Sequence, residues 1–178
     1  MPNPDLAYPI GRFVAPATVD AAARAALVAQ IEGAPRALRA AVEGLDDRQL
    51  DTPYRPEGWT VRQVVHHLPD SHMNAYVRFK LALTESEPTI RPYDEAAWAR
   101  VPEAASGPIG PSLALLEALH ARWVASIRSL PAAAFARTFR HPELGVMSLD
   151  RLLALYAWHG RHHVAHITSL AAREGWAR

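Results

Sequence analysis

Leu152-Leu153-Ala154-Leu155-Tyr156-Ala157-Trp158-His159-Gly160-Arg161-His162-His163-Val164-Ala165-His166-Ile167-Thr168-Ser169-Leu170 carries one helical repeat throughout. Leu152, Leu155, Tyr156, His159, His163, His166, Ile167 and Leu170 recur at i, i+3 and i+4, the spacing of a single helix face. At about 100° per residue, His163 lies about 40° to one side of His159 and His166 about 20° to the other. His162 is about 60° off, nearer the edge of the face. Imidazoles on a buried face carry polar nitrogens that need partners. Three on one arc are hard to satisfy by ordinary hydrogen bonds. Neutral imidazole is also the commonest protein ligand for a transition metal, and two histidines four apart on a helix can chelate one ion. Spacing leaves His159/His163 and His162/His166 as equal candidates for that pair. Gly160 reads either as a close approach of a ligand or backbone, or as a packing contact between helices.

Working outward, Ser148 caps this helix, Asp150 sits in its first turn, and Gly175 ends it, giving a span of Leu149 to Arg173. Before it, Phe135 to Ser148 alternates around Pro142-Glu143-Leu144-Gly145 and predicts a small hairpin. A helix over Ser112 to Ser129 has Leu113, Leu116, Leu119, Trp123 and Ile127 as its apolar stripe. Glu85 to Pro111 is a long proline-rich loop, of the length that usually serves a site or a lid. Thr60-Val61-Arg62-Gln63 is a capping box opening a helix to about Thr84. Leu45 to Gly58 is a connecting segment. Thr18 can cap a first helix running to about Glu43, with Gly33 and Pro35 predicted to kink or interrupt it. Four long helices without a convincing sheet predict an all-α four-helix bundle, one domain over residues 1–178.

A second histidine cluster lies almost ninety residues upstream, in His66-His67-Leu68-Pro69-Asp70-Ser71-His72. The apolar face of its helix is Val61, Val64, Val65, Leu68, Ala75, Phe79 and Leu83. His72 is centred on that face, while His66 and His67 fall on opposite flanks. Periodicity therefore favours His72 as the inward residue. Pro69 removes one backbone bond and clashes with the Val65 carbonyl, so a bend is expected there. Asp70, three residues after His67, is placed to hydrogen-bond a ligand's other ring nitrogen or simply to face solvent.

Composition limits the alternatives. The chain of 178 residues is 49% apolar and 21% charged with a net charge of +1, so no strong field recruits nucleic acid. Lys80 is the only lysine. There is no cysteine, so any metal must be held by nitrogen and oxygen ligands. Met1 to Pro16 lacks the apolar core of a signal peptide, and no run of about 18 apolar residues predicts a membrane span. A cytoplasmic location is the default expectation.

The chain resembles the DinB/YfiT-like superfamily of metal-binding four-helix bundles, in its YfiT branch of metal-dependent hydrolases and bacillithiol S-transferases. The resemblance is carried by Tyr8-Pro9-Ile10-Gly11, Leu50-Asp51-Thr52-Pro53-Tyr54-Arg55-Pro56 and Gly58-Trp59-Thr60-Val61-Arg62-Gln63-Val64-Val65-His66-His67. It continues through Asp70-Ser71-His72-Met73-Asn74, Arg78-Phe79-Lys80-Leu81 and Trp158-His159-Gly160-Arg161-His162-His163. It implies that His67, His159 and His163 hold one divalent ion, zinc or nickel, and that the protein is a homodimer. This choice differs from the inward placement of His72 that periodicity favours. Pro69 departs from the family, which usually has a good helix former there.

Three imidazoles leave a coordination position open, the catalytic rather than the structural arrangement. An ion there lowers the pKa of a water or thiol that it binds. The resemblance favours S-transferase chemistry on small electrophiles, with a low-molecular-weight thiol as cosubstrate that a cysteine-free chain must bind. The alternatives are a metal-dependent hydrolase and a non-catalytic bundle in which the ion only staples helices. A staple needs a fourth ligand, for which His162, His166 and Asp70 are candidates. Arg55, Arg78 and Arg91 are candidate partners for an anionic thiol, and Asn74, Tyr93 and Trp98 candidate pocket residues. No residue stands out as a general base.

Overall fold

The computed structural model describes residues 5–176. Met1 to Pro4 and Ala177 to Arg178, the ends of the expected domain and of its lead-in segment, lie outside the described residues. Four long helices dominate: α1 (Ala21–Val42), α3 (Val61–Thr84), α6 (Gly110–Arg128) and α7 (Leu149–Arg173). Helix α1 packs on α7 and α6, and α3 packs on the same two, so α1 and α3 are diagonal across the bundle. Short elements join them: α2 (Asp47–Leu50), α4 (Glu95–Trp98), α5 (Pro102–Ser106), a 3-10 turn (Ala132–Ala136), and a hairpin of β1 (Thr138–His141) and β2 (Gly145–Ser148). The hairpin pairs Thr138 with Ser148 and His141 with Gly145. Gly145 turns it at φ 72°, a conformation that costs glycine little.

The helix starts follow from local chemistry. The Thr60 hydroxyl accepts from the Gln63 N–H while the Gln63 side chain accepts from the Thr60 N–H. Ser148 caps α7 through the Arg151 N–H, and Gly175 closes it at φ 64°. The cap of α1 is Asp20 rather than Thr18: its carboxylate, adjacent to the first helical residue, accepts from the Ala23 N–H at 2.7 Å. Asp150 in the first turn of α7 pairs with Arg24 of α1 at 2.8 Å, fixing the two helices at that end.

Of the kink or interruption expected in α1, the interruption does not occur. Helix α1 runs unbroken through Gly33 and Pro35, and α3 through Pro69. The cost of an interior proline, about 3 kcal/mol, is offset by packing on several sides. The predicted loop of residues 85–111 is also more ordered than expected, since it contains α4 and α5. It is pinned to the hairpin where the Ile90 N–H donates to the Arg140 carbonyl at 3.0 Å and the Arg140 N–H to the Pro88 carbonyl at 2.9 Å. Helix α6 starts at Gly110, two residues before the predicted Ser112, with Pro111 in its first turn. Its inward stripe is Leu113, Leu116, His120, Trp123 and Ile127. Leu119 is only half-buried, and His120 takes the position assigned to it.

The apolar core is in two parts. One gathers around Phe79, Trp123, Phe139, Leu149 and Leu152; the other around Leu38, Val61, Val64, Leu68, Leu116, Ile167 and Leu170. Between them in sequence, on three helices, lie His72, His120 and His163. Burial of apolar surface drives both clusters together, and a polar layer of imidazoles is held where they meet.

Candidate metal centre

His67 lies on α3, and His159 and His163 lie one turn apart on α7. Each offers one ring nitrogen, and the three nitrogens all lie within 4.8 Å of one another. The Nε2 atoms of His67 and His159 are 3.3 Å apart. Two nitrogens on a tetrahedral ion with metal–nitrogen bonds of about 2.05 Å stand about 3.4 Å apart. The donor set therefore fits one divalent ion with little rearrangement. Trp59, which precedes the capping box of α3, packs its ring 4.7 Å from that of His67 and 6.3 Å from that of His163. It packs against candidate ligand rings from both α3 and α7.

The electrostatics suit a cation. Burial pushes the His67 pKa down to about 4, and neighbouring His162 and His166 add to the shift. Burial also takes His159 and His163 well below the ordinary histidine value. All three are neutral at physiological pH, the form that donates a lone pair to a metal. Among the described residues this is the one group of three such side chains close enough to share an ion.

The three rings line a cavity of about 970 Å³. Of the arginines considered from sequence, Arg55 and Arg78 line it and Arg91 does not. Neither lining arginine forms an ion pair among the described residues. The Arg55 Nε is buried without a partner, and the Arg78 guanidinium reaches the Arg91 carbonyl at 3.5 Å and adjoins the Tyr156 hydroxyl. Tyr93 lines the cavity, while Trp98 packs behind it at 4.6 Å. Asn74 donates to the Asp70 carbonyl within its own helix and does not line the cavity. No histidine hydrogen-bonds to the Asp70 carboxylate; burial and nearby Glu103 raise its pKa to about 6.

The other clustered histidines each have neighbours of their own. His66 is bonded to the Ser112 hydroxyl at 2.8 Å and faces the Gly107 carbonyl at 3.3 Å. His72 is fully buried, as periodicity predicted, but it contacts His159 and His120 rather than facing the cavity. His162 stacks on Trp158 at 4.3 Å with its Nδ1 unpartnered, and His166 stacks on Tyr54 at 3.9 Å. Gly160 is a packing contact: a Cβ there would stand 3.1 Å from the Ala34 Cβ of α1.

Sequence reasoning missed both unclustered histidines. His120 could have been found from the 3-4-3-4 spacing of Leu113, Leu116, His120, Trp123 and Ile127. His141 lines the cavity and is nine-tenths buried, on the same face of β1 as Phe139. Its Nδ1 accepts from the Glu143 and Leu144 N–H groups, so its Nε2 carries the proton.

Fold and site together define a metal-binding four-helix bundle. The profile of the DinB superfamily matches residues 30–167, and the chain belongs to that family. A relative from Bacillus mycoides, named "Putative metal-dependent hydrolase", is 52% identical over 97% of this chain and 99% of its own length. A Bacillus cereus relative of the same name is likewise 52% identical over the same shares. The solved structure of YfiT from Bacillus subtilis, described as "a probable metal-dependent hydrolase with an unusual four-helix bundle topology", is 49% identical. It superposes with a TM-score of 0.95 over 97% of this chain and 99% of that one. A further solved four-helix bundle protein, TT2238, matches at 20% identity and a TM-score of 0.58 over 82% of this chain and 98% of that one, a likeness of fold. Among the described residues no helix is long and apolar enough to cross a membrane.

Proposed function

We propose that the chain is a metal-dependent S-transferase that holds one divalent ion, zinc or nickel, on His67, His159 and His163 and joins a low-molecular-weight thiol to small electrophiles. The observation that carries this reading is a three-imidazole donor set opening onto a cavity of about 970 Å³ that also holds two arginines without carboxylate partners. When bound, such an ion makes the anion of a coordinated thiol or water available near neutral pH. The chain's own residues supply the rest. Trp59 keeps the ligand rings in place, Arg55 and Arg78 attract the anionic groups of the thiol, and His141 offers an Nε2–H donor. The cavity is at the upper end of the range for one drug-sized ligand, which leaves room for thiol and electrophile together.

A metal-dependent hydrolase is the second reading, favoured by the names of the relatives and by the same open donor set. The stapled bundle is the weakest, because His162, His166 and Asp70 stand outside the group that can share an ion. Incubating metal-loaded protein with a thiol and monochlorobimane, in parallel with ester substrates, separates the two enzymatic readings. Thiol conjugation above background supports the transferase. Ester cleavage without conjugation replaces it by the hydrolase.

A further inference from the structure

Only three of the nine histidines are placed to share an ion, yet four others, His72, His120, His162 and His166, adjoin them or one another in the interior. Two chains of contact run from the α7 pair into the protein. The first passes from His159 Nδ1 to His72 Nε2 at 3.1 Å, from His72 Nδ1 to His120 Nε2 at 2.9 Å, and from His120 Nδ1 to the Ile31 carbonyl at 2.6 Å. The second passes from His163 Nδ1 to His166 Nδ1 at 3.4 Å and from His166 Nε2 to the Ala7 carbonyl at 3.2 Å.

A neutral imidazole has one N–H and one lone pair, and a carbonyl oxygen only accepts. These two facts determine every proton in both chains. The Ile31 carbonyl requires an N–H on His120 Nδ1, which leaves His120 Nε2 as an acceptor. His72 must then donate from Nδ1 and accept at Nε2. His159 must donate from Nδ1, which leaves its Nε2 lone pair free, 3.3 Å from His67 Nε2. By the same logic the Ala7 carbonyl puts the His166 proton on Nε2, its Nδ1 accepts from His163 Nδ1–H, and His163 Nε2 is left bare. Both chains leave Nε2 as the bare nitrogen of an α7 histidine in the group that could hold an ion. None of these rings is paired with a carboxylate among the described residues.

The anchor of the first chain has a cause in the sequence. In an α-helix the carbonyl of residue 31 would accept from the N–H of residue 35. Residue 35 is proline, inside unbroken α1, and has no N–H. The Ile31 carbonyl is therefore left without its helical donor, and the fully buried side of α1 there faces His120.

We infer that His72 and His120 are positioning residues that fix the tautomer and ring orientation of His159 from the carbonyl that Pro35 frees, and that His166 does the same for His163 from the Ala7 carbonyl. A metal-binding histidine usually passes its second N–H to a carboxylate, carbonyl or water directly. Here other histidines extend that link to a backbone oxygen, across the full width of the bundle in the first chain. This rests on the proposed ligand set, which metal loss in His163→Ala tests separately; the tautomers are read in protein without metal.

The test is long-range proton–nitrogen NMR on the full-length, metal-free protein with 15N-labelled histidine. The expected result is an Nδ1–H tautomer at His72, His120, His159 and His163, and an Nε2–H tautomer at His166. An Nε2–H tautomer at His159 or His163 overturns the inference. Zinc affinity is then measured by chelator competition on two variants. His120→Leu removes the donor and the acceptor and should weaken zinc binding 10- to 100-fold. His120→Gln keeps an N–H and an acceptor oxygen at a similar span and should recover most of that loss. Equal loss in both variants, or loss in neither, assigns His120 to packing alone and overturns its positioning role. If His120→Leu fails to fold, the tautomers of the parent protein decide.

Discussion

The two histidine chains differ in where they end. The inner one, through His72 and His120, closes on a helix carbonyl between α1 and α6, and its contacts are 3.1, 2.9 and 2.6 Å. The outer one, through His166, closes on Ala7 in the lead-in segment and its contacts are 3.4 and 3.2 Å. His166 and Ala7 line the cavity, while His72 is wholly enclosed. One imidazole is thus held by the rigid bundle, and its partner on the same helix by a segment that borders the ligand space. The difference teaches that a site built on adjacent turns of one helix can still have a firm side and a yielding side. Long loops and chain ends open at lower cost than packed helices.

The comparison is broken most severely by removing the proposed ligands themselves. His163→Ala should abolish metal retention, measured as stoichiometry by elemental analysis; full occupancy in that variant would remove the shared-ion reading. Acid comes next. His67 has its folded pKa depressed to about 4 from an ordinary 6.5, so the unfolded chain binds protons more readily between these values. The stability that His67 contributes is fully present above pH 6.5 and is lost as pH falls toward 4, on the order of 3 kcal/mol for this buried ring. Asp70 opposes this, because its raised pKa favours the folded state as pH falls from 6 to 4, but His162 and His166, also depressed to about 4, act with His67. Thermal melts of metal-free protein should therefore show a midpoint that drops steadily below pH 6.5.

Smaller changes sharpen the contrast. His166→Leu should weaken zinc binding less than His120→Leu does, since the outer chain is the looser one. Chelator competition on the two proteins ranks them, and the reverse order would make the outer chain dominant. Arg55→Ala and Arg78→Ala should raise the KM for an anionic thiol with little change in kcat, read from bimane conjugation at varied thiol. Smallest of all, Pro35→Ala returns an N–H to the Ile31 carbonyl. It should raise the melting midpoint of metal-free protein by restoring a helical hydrogen bond while lowering zinc affinity slightly, a pair of opposite effects that packing alone does not produce.

Much of the fold was legible because it depends on local rules. The capping box of α3, the apolar stripes at 3.6-residue spacing and the turn glycines at positions 145 and 175 act within a few residues of themselves. An interruption of α1 at Gly33 and Pro35 was expected for the complementary reason: the cost of an interior proline is local, but the packing that offsets it comes from other helices. The loop of residues 85–111 was misread because α4 and α5 are too short to show a period, and the hairpin that pins them is fifty residues away.

The candidate site divides along the same line. The chain by itself determined that imidazoles would cluster on a buried helix face, that no sulfur could share the metal, and that α7 would present a pair one turn apart. It could not choose the pair, because His159/His163 and His162/His166 are equivalent on an isolated helix and become distinct only against Trp59, His67 and His72. It placed His72 inward correctly without showing what it touches. Its helical period assigned His67 to a flank, because α3 is covered on several faces by α5, α6, α7 and the hairpin rather than on one. Only the tertiary structure brought His120 to His72 and both to the carbonyl of Ile31. A hydrogen bond between residues 89 positions apart is set by helix packing, which a local sequence pattern does not encode.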